Sequence, residues 1–463
     1  MTDTKTKPAR SGLQVAHITI LMFSAIIGIG AILLMLPIAH KQPISFIDAL
    51  FMATSAVCVT GLVTVNVADT FTTFGQTVIM ILIELGAIGI LTVSTVFLLM
   101  LGKSVSLRDS SIVHDSFTAS HRINIRRLIK SVVVFLLIFE AAGAALFIFF
   151  WSPDMGFKDA AFHGIFLSIS AFSNAGISTF AAGMEGFEKD IPTNTVTLIL
   201  FIAGGIGFMT IAEIYDRAKA RFKKEKAVKR VVWSLQIKLV LITTFLSIAI
   251  GSVLLLVFEW GNAHAGKPFY QQLMSSVFHV ASSRTAGFNN IDLSQFSNPT
   301  LYMFILLMFV GGAPISTAGG IKVTTFALLI GMGLSRYRGH ERVHLMNRAV
   351  PVEVMSRAIS IVFIFVLVLI VAMFLLLITE SSPGAVAGGA RGDFMPILFE
   401  AVSAFGTVGL SMGITPDLTV AGKLIITLLM LMGRLGPLTI AMAVGTGRVS
   451  RAYQLSEETV MVG

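Results

Sequence analysis

The stretch AVCVTGLVT, residues 56–64, places one glycine among small, mostly uncharged residues between an apolar run and a polar one. Three further stretches repeat the arrangement: FSNAGIST at 172–179, SRTAGFNN at 283–290 and GTVGLSMG at 406–413. When the four are aligned on Gly61, Gly176, Gly287 and Gly409, the residues six places upstream are Ser55, Ser170, Ala281 and Ser403. Those that follow are Ala56, Ala171, Ser282 and Ala404, and one place after the glycines stand Leu62, Ile177, Phe288 and Leu410. The glycines are 115, 111 and 122 residues apart, so the chain reads as four tandem copies of one unit.

Composition fixes the surroundings of that unit. The 463 residues are 55% hydrophobic and 13% charged, with a mean hydropathy of +0.85, more than a soluble domain can expose. Eight runs reach the about 20 apolar residues that a helix needs to cross the hydrocarbon of a bilayer. They lie near 15–38, 76–101, 128–151, 194–216, 236–260, 300–335, 357–379 and 422–446. The first follows Lys5, Lys7 and Arg10, is too long for a signal peptide and lacks a small-residue cleavage pattern, so it reads as a retained span. Between each odd run and the next lies a shorter apolar segment, at 44–60, 159–175, 270–286 and 392–408. Such lengths suit a re-entrant helix better than a crossing one.

The net charge of +9 does not point to nucleic acid, because of where it falls. Of 34 Lys and Arg, 25 sit in residues 1–16, 102–130, 217–238, 336–357 and 448–463. These are alternate loops and the two tails, which the positive-inside rule assigns to the cytoplasm. The loops on both sides of each short segment are poor in basic residues, as they must be if those segments dip in and return. They carry Asp48, Asp69, Asp154, Asp159, Glu185, Glu188, Asp190, Asp292, Asp393 and Asp417, an acidic rim that would gather cations. Each acid taken singly also fits an ordinary wet loop. The lone cysteine, Cys58, excludes an intrachain disulfide.

The fold class expected is an all-α polytopic membrane protein of four tandem M1-P-M2 repeats. Eight transmembrane helices and four re-entrant pore helices would surround a pseudo-fourfold central pore in the lipid bilayer. The repeats are placed at 15–101, 128–222, 236–338 and 357–447, between cytoplasmic tails 1–14 and 448–463.

Non-helical backbone at membrane depth must be buried in protein or face water. A short helix running inward from the outer face aims its partly negative C-terminal end at the membrane centre, and four such ends about one axis favour cations. Beyond each end a glycine permits the turn and lets four backbones approach one ion. The expected ligands are main-chain carbonyls: Val59, Thr60 and Gly61; Asn174, Ala175 and Gly176; Thr285, Ala286 and Gly287; Thr407, Val408 and Gly409. Together they read as a selectivity filter. One glycine per copy allows few stacked sites, which predicts modest discrimination against sodium.

The stretch GGAPISTAGGIK, 311–322, interrupts the sixth run with four glycines and a proline, and the helix is expected to break there. Gly311, Gly312, Ala313, Pro314, Ile315, Ser316, Thr317, Ala318, Gly319 and Gly320 would form a loop that obstructs the pore below the filter and moves to open it; a static kink is the alternative. Arg434, 25 residues after Gly409, should face the pore or a partner, because a charge at that depth is costly in lipid. It is assigned to the gate. Lys322 either joins that cluster or snorkels to the interface. Glu84 either counters Arg434, binds a second cation or is packed in its protonated form, whereas Glu140 reads as structural. Glu400 and Asp393 are candidate cation ligands at the mouth. His163 and His279 read as packed, and the glycines at 86, 89, 204, 205 and 207 as close helix contacts.

The segments SAVCVTGL, SAFSNAGIS, SSRTAGFNN and SAFGTVGLSMGITP, with FVGGAPISTAGGIKVTTF in the third inner span and LMGRLGPLTI in the last, carry a resemblance over nearly the whole chain. They resemble the Trk, Ktr and HKT superfamily of potassium transporters, with the bacterial Ktr-type membrane subunit as the close match. The resemblance implies potassium as the permeant ion, because glycine stands in all four filter positions where sodium-preferring relatives carry serine in the first. Cys58 replaces a frequent threonine, which matters little where the ligands are carbonyls. The resemblance further implies an intramembrane gating loop in the third copy, stimulation by sodium, a homodimer, and a cytosolic octameric ring of nucleotide-binding RCK/KTN-type subunits at a bacterial plasma membrane. RAKARFKKEKAVKR, 217–230, offers a docking surface for a soluble partner or for anionic lipid. The sequence shows no P-loop, zinc-ligand cluster or catalytic serine arrangement, so neither an enzyme nor a bound cofactor is expected. An alternating-access cation cotransporter would require inverted repeats and midplane charges. A weakly selective sodium/potassium channel is the other alternative.

Overall fold

The computed structural model describes residues 9–103, 125–222, 233–340, 343–346, 348–380 and 394–436. Apart from the connecting segments, a few single helical turns and two paired two-residue strands, His344–Leu345 and Arg348–Ala349, these residues form helices. In chain order they are α1 (Ala9–Leu34), α2 (Phe46–Cys58), α3 (Thr73–Lys103), α4 (Ile125–Met155), α5 (Phe157–Phe172), α6 (Ile191–Ile206) and α7 (Phe208–Phe222). There follow α8 (Leu235–Glu259), α9 (Phe269–Ser282), α10 (Asn298–Phe309), α11 (Val323–Tyr337), α12 (Val352–Glu380), α13 (Phe394–Gly406) and α14 (Val420–Leu435). Most of the N-terminal tail, the basic residues of 104–124 and 223–232, Asp393 and everything after 436 lie outside the described residues.

Hydropathy alone suggests eight crossings, but the described helices divide differently. Four, α1, α4, α8 and α12, hold a continuous segment long and apolar enough to cross a bilayer, and α6 with α7 would supply a fifth. The run 300–335 is split between α10 and α11, and the run 194–216 between α6 and α7, which bend by 97° at Gly207. That second break corrects the reading of 194–216 as one uninterrupted span. The run 76–101 lies within the α3 backbone, and 422–446 is described as α14 up to its C-cap at Gly436.

The helices begin where capping chemistry allows. Ser45 accepts a hydrogen bond from the Asp48 amide at the start of α2, and Ser234 from the Ile237 amide at the start of α8. Asp190 does the same for Thr193 at the start of α6, where Pro192 occupies the first turn. Gly156, at φ +82°, joins α4 directly to α5.

Packing closes the fold on itself. Each short helix lies against the long helix before it and, α9 apart, against the helix after it. It also meets one helix from the preceding unit: α5 meets α3, α9 meets α6, α13 meets α10, and α2 meets α14, so the last unit closes on the first. The short helices are buried at their C-terminal halves, as at Met52 and Cys58, Phe166 and Ala171, Phe278 and Val280, and Phe399 and Ala404. The long helices keep Phe245, Val257, Phe363 and Phe374 on the outside, where a bilayer supplies the apolar surroundings. Between helices that lipid already solvates, close van der Waals contact matters more than burial from water. Gly86, Gly204 and Gly433 provide it: a Cβ at any of them would overlap the carbonyl of Val57, Phe172 or Phe405, at the buried end of a short helix.

Candidate functional site

The four aligned glycines meet. An added Cβ on Gly61 would come within 2.7 Å of the Ala175 carbonyl oxygen and 3.2 Å of both the Gly176 and Gly409 Cα atoms. On Gly176 it would come within 2.9 Å of the Ala286 oxygen, on Gly287 it would overlap the Val408 oxygen, and on Gly409 the Thr60 oxygen. Each glycine thus abuts the carbonyl that precedes the next glycine in chain order, and the cycle closes. Thr60, Ala175, Ala286 and Val408 form one layer of main-chain oxygens around a common point.

The backbone is strained to make this ring. Gly61, Gly176, Gly287 and Gly409 have φ values of +102°, +66°, +77° and +96°, a region open to glycine. Two residues upstream, Val59, Asn174, Thr285 and Thr407 also have positive φ, at 53°, 61°, 78° and 48°. Side-chain hydroxyls hold the segments in place. The Gly61 amide donates to Ser55 Oγ and the Gly409 amide to Ser403 Oγ, both at 3.1 Å, while Ser170 Oγ accepts from the Ile177 amide at 3.0 Å. In the third segment Ala281 has no hydroxyl, and Ser282, one place later, donates to the Phe288 carbonyl at 2.5 Å. The backbone shifts in the same way, with the Ala286 amide bonded to the Ser282 carbonyl where Thr60, Ala175 and Val408 bond to Ser55, Ser170 and Ser403.

A cavity of about 350 Å³ opens on one side of the ring, lined by all four glycines and by Asn66, Glu185, Asn289, Asp292 and Ser411. Asn289 donates to Glu185 at 2.7 Å. Partial burial in this rim, and then the negative charge of Asp292, push the Glu185 carboxyl above its usual range against the pull of Asn289. Three other rim acids are engaged elsewhere. Asp48 pairs with Lys423 at 2.9 Å, Glu188 with Lys267 at 2.6 Å, and Asp190 caps α6. Glu400 is buried and accepts from the hydroxyls of Ser411, at 2.8 Å, and Thr415, which staples the chain after Gly409.

The opposite side of the ring is occupied by residues 311–322. Two backbone bonds close the neck of this loop, from the Gly311 amide to the Ile321 carbonyl at 2.9 Å and from the Val323 amide to the Gly312 carbonyl at 3.1 Å. Its tip enters the break between α6 and α7. The Ala313 amide donates to the Gly205 carbonyl, and the Phe208 amide to the Ile315 carbonyl, both at 2.9 Å. The loop therefore supplies the hydrogen bonds that the broken helix lost. Gly207, at φ +89°, is the hinge, so the reading of that glycine as a mere helix contact is corrected. Gly319 lies against Thr407 and the Gly406 carbonyl, directly under the ring, and the Thr317 hydroxyl donates to the Phe172 carbonyl at 3.3 Å.

Arg434 is 3% exposed and donates to the Thr317 carbonyl and, at 3.3 Å, to the Gly86 carbonyl. Lys322 Nζ turns back to the Ala318 carbonyl at 2.7 Å, within the loop. Glu84 does not pair with Arg434; it lies within hydrogen-bonding reach of Glu140. His163 and His279 are held by Thr179 Oγ1 at 2.7 Å and the Ser275 carbonyl at 2.9 Å, as packed histidines.

Three buried charges escape sequence reasoning. Glu259 and Glu380, the last residues of α8 and α12, accept from Ser297 and Thr419 and so cap α10 and α14. The one available signal is an acid closing a run with a Ser or Thr about to open the next. Arg284, just before Thr285, is 8% exposed and donates to Thr244 Oγ1 at 3.2 Å and the Gly311 carbonyl at 3.5 Å.

Long helices with apolar outer faces around a shielded polar centre define a multi-pass membrane protein. The chain belongs to the TrkH family of cation transport proteins, whose profile matches residues 3–446. It is 35% identical over 464 residues to the Ktr system potassium uptake protein B of Vibrio alginolyticus, covering 100% of this chain and 97% of the relative. It is 32% identical to the potassium/sodium uptake protein NtpJ of Enterococcus hirae, over 99% of each chain. The fold is similar to the crystal structure of the potassium transporter TrkH from Vibrio parahaemolyticus, with a TM-score of 0.73, 20% identity, and coverage of 96% of this chain and 86% of that one.

Proposed function

We propose that the chain takes up potassium across a bacterial plasma membrane through a gated pore. Four repeats, each an outer helix, a short pore helix and an inner helix, surround the pore, with the domain limits set out above. The observation that carries this reading is the cyclic contact of Gly61, Gly176, Gly287 and Gly409 with one another's preceding carbonyls. Carbonyls from Thr60, Ala175, Ala286 and Val408, with those of Val59, Asn174, Thr285, Thr407 and the glycines, replace the water around a dehydrated cation. The names of the relatives, potassium uptake and potassium/sodium uptake proteins, support potassium as the permeant ion and sodium as its companion. Residues 311–320 with Lys322 and Arg434 form the gate, supported by their place under the ring. Inward flux follows the membrane potential, about 2.3 kcal/mol per charge per 100 mV.

The name "Ktr system" carried by relatives supports a separate partner subunit. The partner proposed is a cytosolic nucleotide-binding octameric ring docked on the basic loops of a membrane homodimer, with both termini in the cytoplasm. The test is potassium tracer uptake, with and without sodium, in cells that lack their own uptake systems. Gly61→Ser puts a side chain toward the Ala175 carbonyl at a φ that costs an L residue about 1–2 kcal/mol, and is expected to admit sodium. Arg434→Ala is expected to leak potassium. Unchanged ion preference in the first variant would remove the filter assignment, and unaltered flux in the second the gate.

A further inference from the structure

We propose that Arg284 is a positioning residue that couples the ring to the gate, a role that rests on the functional reading just given. Its guanidinium is the one cationic group attached to a ring segment, since Thr285, Ala286 and Gly287 follow it directly. It bonds the neck of the loop at the Gly311 carbonyl and α8 at Thr244 Oγ1. No carboxylate pairs with it among the described residues, and its Nε has no partner. Beside it lies a cavity of about 20 Å³, room for about one water, lined in part by Thr244, Gly205 and Gly312.

Three cationic donors hold loop carbonyls, each at a different point: Arg284 at Gly311, Arg434 at Thr317 and Lys322 at Ala318. Arg434 stands on α14 and Lys322 on the loop itself, so neither transmits movement to the ring segments by its own backbone. Arg284 does. A buried guanidinium with two acceptors cannot lose one and remain in place. When the neck moves, Arg284 must follow it or turn toward Thr244, and either movement pulls on the Thr285–Gly287 backbone. Coupling of this kind is reciprocal, so an ion seated in the ring also biases the loop.

The test measures maximal uptake and the ratio of apparent KM values for potassium and sodium in Arg284→Lys, Arg284→Gln, Thr244→Val, Arg434→Ala and Gly61→Ser. Coupling predicts that Arg284→Lys and Arg284→Gln raise maximal uptake and lower the potassium preference together, each by about threefold to tenfold. Thr244→Val, which removes the second acceptor without touching the ring, shifts both in the same sense by less. Arg434→Ala raises maximal uptake with the KM ratio held within about twofold. If the Arg284 and Thr244 variants change only one of the two quantities, or neither, the inference is overturned. If Arg284→Gln fails to reach the membrane, the lysine and Thr244 variants decide. Failure of Gly61→Ser and Arg434→Ala to act would instead overturn the filter and gate reading itself.

Discussion

Val59, Thr285 and Thr407 are β-branched residues held at positive φ, each at a cost of about 1–2 kcal/mol. That this strain recurs two places before every ring glycine marks it as part of the ring, because four accidents would not share one register. The glycines themselves are legible in sequence, since few other residues permit both the turn and the approach. The strained neighbours are not, because valine and threonine carry no sequence mark of a left-handed backbone. The displaced serine of the third segment is hidden for a similar reason: only the backbone bond from Ala286 to Ser282, four residues back where the other segments reach five, shows which hydroxyl does the stapling. At the outer rim, Glu185 leads to a prediction about pH. Partial burial and the charge of Asp292 both disfavour its ionised form, so it binds a proton at a higher pH than a free glutamate. Potassium uptake measured below saturation should therefore decline on acidification earlier than an unperturbed carboxylate would allow. Glu185→Gln should flatten that limb, and Asp292→Asn should move its onset to lower pH. Identical profiles in all three proteins would dismiss Glu185 as the titrating group.

Among the elements, the long helices and the break at 311–322 follow from apolar length and from four glycines around a proline. The break at Gly207 does not, because its cause lies elsewhere in the chain. A helix opened at that point would strand the Phe208 amide and the Gly205 carbonyl, and the loop more than 100 residues later satisfies both. Periodicity within 194–216 contains no trace of that partner. Gly207→Ala tests the dependence. A Cβ there would stand 2.8 Å from the Pro314 carbonyl oxygen, at a φ of +89°, costing about 1–2 kcal/mol from the backbone alone. The expected result is a detergent Tm lower by about 2–4 °C per kcal/mol, with unregulated potassium uptake raised. Gly89→Ala, where the nearest atom would be 3.5 Å away on Phe23, should change neither. A lower Tm with unchanged uptake would separate the hinge from flux control.

For the whole molecule, charge asymmetry gives an orientation that labelling can read, because Cys58 is fully buried and the chain has no other thiol. The native protein should resist a membrane-impermeant maleimide. Ala265→Cys, on the exposed link between α8 and α9, should react from outside intact cells, and His340→Cys, after α11, only from inside. The reverse pattern would invert the topology. The closure of α14 on α2 makes the ring a property of one polypeptide. A pore assembled from four identical subunits repeats any codon change four times over. Here a single codon alters one quadrant and leaves three intact, so substitutions introduced one, two, three and four at a time form a graded series. The same arrangement exposes each quadrant to mutation and selection separately.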